Sequence, residues 1–178
     1  GLRRTFSFED WNWVDDRLIQ EVRTEASKKI NRDLVLDIMG TDIDARMVEI
    51  AKENAQKAGV ASDITFKQMR VQDLRSEKIN GVIISNPPYG ERLSDDAGVT
   101  KLYAEMGEVF EPLKTWSKFI LTSDENFEKK FGRQADKKRK LYNGTLKVDL
   151  YQFFGERVRR QATSEKGNIW QKKINSNW

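Results

Sequence analysis

Gly81-Val82-Ile83-Ile84-Ser85-Asn86-Pro87-Pro88-Tyr89-Gly90 joins a short, wholly apolar run to a loop that carries two of the chain's three prolines. A continuous apolar run of this length, closed by turn residues, is the pattern of a strand buried inside a parallel sheet. Open α/β sheets bind ligands in the crevices at the carboxyl ends of such strands. Pro87 and Pro88 remove two backbone donors and fix φ, so the loop is stiff and its carbonyls are free to accept. The Asn86 side-chain oxygen and the Pro87 carbonyl can then take the two hydrogens of an exocyclic NH2 on a planar base, while Tyr89 stacks on its ring. A proline-rich turn with a packed tyrosine is the plainer reading of the same residues.

On the N-terminal side, the aromatic and acidic opening Phe6 to Trp13 leads into a helix predicted from about Asp15 to Lys29, with Trp11 and Trp13 expected to pack. Leu34 to Gly40 reads as a buried strand, closed by Gly40-Thr41-Asp42-Ile43-Asp44. From Arg46 to Ala58, Met47, Val48, Ala51, Ala55 and Ala58 recur at helical spacing, with Asp44 as N-cap and Gly59 as the stop. Ile64 to Met69 alternates like a strand that ends near Asp73. On the C-terminal side, Leu102, Met106, Val109 and Leu113 mark an amphipathic helix, Lys118 to Thr122 a strand and Glu125 to Phe131 a short helix. Asn143-Gly144 between Lys140-Leu141-Tyr142 and Leu146 to Phe154 is a hairpin signal. Strands alternating with helices and ending in an antiparallel hairpin predict a three-layer α/β sheet.

Composition bounds the chemistry. The 178 residues are 38% hydrophobic and 34% charged, enough for one domain with a core. No apolar run approaches the roughly 20 residues of a spanning helix. Residues Gly1 to Phe6 have no apolar segment behind their two arginines, so no secretory signal is expected. With no cysteine, a reducing cytoplasm is the expected setting; with no histidine either, imidazole catalysis and thiolate or histidine metal sites are excluded, and no metal is expected. The net charge of +4 is uneven: residues 128 to 147 hold eight Lys/Arg against two acidic residues, and residues 156 to 178 hold six against two. Lys137, Lys138, Arg139 and Lys140 form the densest run. Such a run contacts phosphates of a polyanion or is simply a solvated face.

Asn86-Pro87-Pro88-Tyr89 resembles the signature of S-adenosyl-L-methionine (SAM) enzymes that methylate exocyclic nitrogens of adenine or guanine. The longer string Asn-Pro-Pro-Tyr-Gly-Glu-Arg-Leu, residues 86 to 93, is similar to bacterial 23S ribosomal RNA guanine-N2 methyltransferases and their THUMP-domain relatives, often labelled putative N6-adenine-specific DNA methylases. The Gly40 to Asp44 turn, the Lys140 to Gly155 hairpin and the aromatic opening carry the same resemblance. It implies a Rossmann-like SAM-dependent methyltransferase sheet with a C-terminal antiparallel hairpin. It also implies SAM as cofactor and ribosomal RNA as partner, with Asn86, Pro87, Pro88 and Tyr89 at the reacting base. Asp42 would hold the ribose hydroxyls of SAM and Asp73 would lie near its adenine; an acceptor-only carboxylate suits two vicinal hydroxyls. Asp44 competes for that role but is assigned to capping, and an exposed loop aspartate is the plain alternative for Asp73.

The eleven glycines are never closer than eight residues apart, so the chain has no Gly-x-Gly loop. Family members place a strand and such a loop, which cradles the methionine end of SAM, before the segment that Gly1-Leu2-Arg3-Arg4 resembles, with an RNA-binding THUMP domain further upstream. The resemblance therefore implies a partial methyltransferase domain over 1–155, lacking its first strand and Gly-rich loop, then a basic tail over 156–178. These residues alone are expected to bind SAM weakly. Guanine N2 rests on the resemblance; hydrogen bonding alone leaves adenine N6 of DNA open, as it does a catalytically silent nucleic-acid-binding module.

Overall fold

In the computed structural model, which describes residues 4–31, 33–88 and 96–158, side-chain caps set the starts of the first two α-helices. Asp15 accepts the Arg17 N–H at 2.8 Å and opens α1 (Asp16–Lys28). Asp44 accepts the Arg46 N–H at 2.9 Å and opens α2 (Ala45–Ala58), which Gly59 ends in the left-handed region at φ 74°. The remaining elements are β1 (Ile38–Asp42), β2 (Ile64–Gln68), β3 (Val82–Ser85), α3 (Asp96–Phe110), β4 (Ser117–Thr122), α4 (Phe127–Phe131), β5 (Lys137–Asn143) and β6 (Leu146–Phe153). The chain divides into two units, residues 1–67 and 68–178. No helix among the described residues is long and apolar enough to cross a membrane.

The first unit holds α1, α2 and the two-stranded sheet β1-β2. β1 starts four residues later than the predicted Leu34 and runs through Asp42. Its only strand partner among the described residues, β2, is five residues long, so the apolar segment 34–37 finds no ladder there. Trp11 and Trp13 do pack, with ring centroids 5.2 Å apart, but on each other and largely exposed.

The second unit carries a mixed four-stranded sheet in the order β3-β4-β6-β5. β3 and β4 are parallel, in the register Val82↔Ser117 to Ser85↔Ile120, so their carboxyl ends meet at one end of the sheet. β6 is antiparallel to both β4 and β5. The predicted single sheet is thus two sheets among the described strands; alternation in sequence reveals crossovers but not which strands are neighbours. The hairpin loop is Gly144-Thr145, with Asn143 already paired to Leu146 and Gly144 at φ 61°, a conformation that glycine adopts without penalty.

The core of this unit is aromatic. Val99, Tyr103, Met106 and Phe110 of α3 are buried against Phe127 and Phe131 of α4 and Tyr151 and Phe153 of β6. The predicted stripe is rotated slightly: Leu102 and Val109 are only partly buried, because the large rings of Tyr103 and Phe110 take the centre. Helices α3 and α4 come together at Gly107, where an added Cβ would stand 2.1 Å from the Phe131 carbonyl oxygen. Neither backbone can yield without moving a helix. Gly107→Ala is therefore expected to lower the unfolding free energy by about 1–3 kcal/mol or more in urea denaturation, as overpacked cores do; unchanged stability would mean that α4 is free to shift.

Candidate methyl-transfer site

Asp42, the last residue of β1, is exposed, and its Oδ1 accepts the Asp44 N–H at 2.8 Å. This turn fixes the carboxylate while Oδ2 meets no donor among the described residues. Asp44 is spent otherwise. It caps α2 and pairs with the Arg46 guanidinium at 2.8 Å, and the hydrogen bonds from Arg46 hold its carboxyl below the usual aspartate range. Asp44 thus caps α2 as expected, and Asp42 keeps accepting capacity at Oδ2.

Within the second unit, Asn86 leaves the carboxyl end of β3 exposed, Pro87 is buried and Pro88 is exposed. Tyr89, together with residues 90–95 of the longer motif, lies outside the described residues. Asp73 ends a 3-10 turn, Val71–Asp73, exposed as its plainer reading requires. The neighbouring Gln72 side chain donates to Glu105 of α3.

Two residues that the sequence reading did not single out lie behind the loop. The Tyr103 hydroxyl sits 3.3 Å from the Pro88 carbonyl oxygen and 2.9 Å from Thr122 Oγ1, and Thr122 Oγ1 accepts the Asp124 N–H at 3.1 Å. Tyr103 and Thr122 are both fully buried. A carbonyl only accepts, so the single Tyr103 proton goes to Pro88 and the Thr122 hydroxyl donates to Tyr103. Burial raises the Tyr103 pKa, so the hydroxyl keeps its proton beyond the ordinary tyrosine range. Asp124 extends the network: its carbonyl accepts from Tyr151 at 3.1 Å and its carboxylate pairs with Lys130 at 2.8 Å. The available signal was that a tyrosine on the buried side of a helix must find a partner for its hydroxyl.

The basic run extends the predicted hairpin strand, which begins at Lys137 rather than Lys140. Lys137 to Lys140 are the first four residues of β5, because β6 is long enough to offer them partners from Gln152 to Asp149. As a strand on the sheet edge, the run splits between two faces. Lys138 and Lys140 lie opposite Tyr151 and Asp149, whereas Lys137 and Arg139 lie opposite Gln152 and Leu150. Lys138 is engaged. Its Nζ lies 4.6 Å from the Tyr151 ring centroid and 3.4 Å from the buried Asp149 carboxylate, and its pKa is raised by Tyr151 first and Asp149 after it. Lys147 is likewise held by Glu125, at 2.9 Å.

Parallel strands ending together, a proline loop at that end and a terminal antiparallel hairpin define an α/β methyltransferase fold. Comparison with known proteins gives the family: residues 1–152 match UPF0020, the RMKL-like methyltransferase domain, and the chain belongs to that family. It is 51% identical over 164 residues to the Bacillus subtilis protein named "Putative RNA methyltransferase YpsC", covering 92% of this chain and 43% of that protein. It is 36% identical to the "Ribosomal RNA large subunit methyltransferase K/L" of Shewanella amazonensis, covering 94% of this chain and 25% of that one. Among solved structures, SMU.472, a "putative methyltransferase complexed with SAH", superposes with a TM-score of 0.82 at 62% identity, covering 89% of this chain and 42% of that chain. The chain thus spans less than half the length of these relatives.

The environment of Lys138 separates it from its neighbours. Lys138→Gln is expected to lower thermal stability by about 1 kcal/mol through loss of the ring and carboxylate contacts. Lys137→Gln, with no such partner among the described residues, should stay within about 0.5 kcal/mol of wild type. Equal melting temperatures for the two variants would remove the distinction.

Proposed function

We propose that this chain is part of a SAM-dependent methyltransferase acting on the exocyclic amino group of a nucleic-acid base, in its most specific form guanine N2 of 23S ribosomal RNA. The observation that carries the proposal is the exposed Asn86 side chain at the carboxyl end of β3, followed by a proline pair that the core holds from behind. The names of the relatives support the RNA assignment, and the SAH-complexed relative supports the cofactor.

Two carboxylates, one in each unit, each suit one part of the adenosine half of SAM by their own chemistry. Asp42 offers the ribose hydroxyls a carboxylate whose Oδ2 is not otherwise used, and Asp73 offers an exposed acceptor for the adenine amino group. When bound, SAM supplies an electrophilic methyl group on its sulfonium sulfur. The chain's part is to aim the nucleophile. Asn86 and the Pro87 carbonyl accept the amino hydrogens and turn the nitrogen lone pair out of ring conjugation, while Pro88 stiffens the loop and Tyr89 stacks on the base. The proton leaves once the nitrogen has become cationic, so no imidazole base is needed.

In this proposal, residues 1–155 form part of the catalytic domain and 156–178 a basic tail. The methionine-binding glycine loop, its strand and a THUMP domain belong to a longer cytoplasmic protein. The exposed apolar side chains of β3, Ile84 at 81% above all, suit a strand that is flanked further in the longer protein.

In the full-length protein, Asn86→Ala should lower kcat roughly 10²-fold with little change in SAM affinity, the scale of losing one positioned polar group at a reacting centre. Tritium transfer from labelled SAM to 23S rRNA and to duplex DNA reads this out and compares substrates. Unchanged kcat would remove Asn86 from the site, and transfer to DNA alone would establish adenine N6 instead.

RNA binding gives an independent check. If Lys137, Lys138, Arg139 and Lys140 contact phosphates, replacing Lys137, Arg139 and Lys140 with Gln should make the slope of log K against log salt shallower by roughly 0.7–0.9 per contact. Lys138→Gln should change it least, since that ammonium is already held by Asp149 and Tyr151. An unaltered slope in the triple variant would return the run to a solvated edge.

A further inference from the structure

The orientation of the Asn86-Pro87-Pro88 loop is not explained by its prolines alone. Their rings fix φ at both positions, but ψ of Pro88 remains a soft torsion, and the carbonyl oxygen turns with it. Whatever holds the Pro88 carbonyl therefore holds the end of the Asn86-Pro87-Pro88 segment in place.

That oxygen is held by Tyr103, from α3, Asp96–Phe110. The proton bookkeeping makes the chain of bonds one-directional: Asp124 N–H to Thr122 Oγ1, the Thr122 hydroxyl to Tyr103, and the Tyr103 hydroxyl to Pro88. Serial bonds of this kind polarise one another; the Tyr103–Thr122 bond is buried and the two flanking bonds are partly buried. The Tyr103 ring is itself enclosed, with no exposed surface and the Phe127 ring edge-on at 4.9 Å. We infer that Tyr103 is a positioning residue for methyl transfer, using its hydroxyl, oriented by Thr122, to fix the Pro88 carbonyl and with it the base-binding loop. The inference rests on the proposed base-amino methylation and assigns Tyr103 and Thr122 no contact with the base or with SAM.

The test uses the full-length protein, tritiated SAM and the RNA it methylates. Tyr103→Phe keeps the ring and removes only the hydroxyl. It should lower kcat by about tenfold or more, as small displacements at a reacting centre do, while SAM affinity and the KM for RNA stay within about twofold. Thr122→Val should lower kcat similarly, Thr122→Ser should restore most of the rate, and the Tyr103→Phe/Thr122→Val double variant should be no worse than the poorer single one. Melting temperatures, measured alongside, ensure that turnover is compared between folded proteins. If Tyr103→Phe fails to fold, the Thr122→Val and Thr122→Ser pair decides the matter, because serine keeps the hydroxyl.

Wild-type kcat in Tyr103→Phe overturns the inference and leaves the proposed function standing. So does a loss spread equally over kcat, SAM affinity and RNA KM, which is the mark of general loosening, and so does a Thr122→Ser variant as slow as Thr122→Val. A wild-type protein that transfers methyl to no base amino group removes the proposed function and the inference with it.

Discussion

Phe127 is the fixed point of the second unit. It is fully buried, with Tyr103 at 4.9 Å, Tyr151 at 4.8 Å and Phe131 at 5.0 Å between ring centroids. These contacts join α3, α4 and β6, elements that share no hydrogen-bonded ladder. Interlocked rings have few alternative arrangements at interior packing density. Placing Phe127 therefore places Tyr103, and Tyr103 carries the order of the core outward to the backbone at Pro88. A surface loop is ordinarily the least ordered part of a fold; here the Pro88 carbonyl is tied to a residue of the buried aromatic core.

The short α4 is also held by polar contacts that converge on its flanks. Glu128 accepts the Ala135 N–H at 2.7 Å, and Lys130 reaches back to Asp124. Asp124 in turn serves Thr122, Asn126, Lys130 and Tyr151 through separate atoms. A single residue, two positions past the end of β4, thus ties strand, helix and hairpin together beside the carboxyl end of β3. The second unit is organised around the end of the sheet where the proline loop leaves it.

Much of this was legible in the sequence, for reasons that differ from element to element. The caps at Asp44 and Gly59 were readable because a cap is a contact between residues two to four apart. β3 and its proline loop were readable because apolar run and loop are contiguous. Asp42 was separable from Asp44 because only one of them stands where a helix begins. What sequence could not provide was lateral information. The split into two sheets, the late start of β1 and the inclusion of Lys137, Lys138 and Arg139 in β5 each depend on the length of a partner strand. Tyr103 was hidden for the same reason: its meaning comes from Pro88, fifteen positions away, and from Thr122, nineteen away.

The two outer strands of the four-stranded sheet differ in a way that bears on solubility rather than catalysis. β5 presents four consecutive cationic residues along its edge, and like charge opposes the addition of another strand there. β3, on the other side, is four residues of Val, Ile, Ile and Ser with Val82 and Ile84 exposed, and it carries no charge within the strand. Among the described strands of this unit, the two margins therefore differ in charge. A polyanion bound along β5 would neutralise charges that oppose the addition of a further strand at that margin.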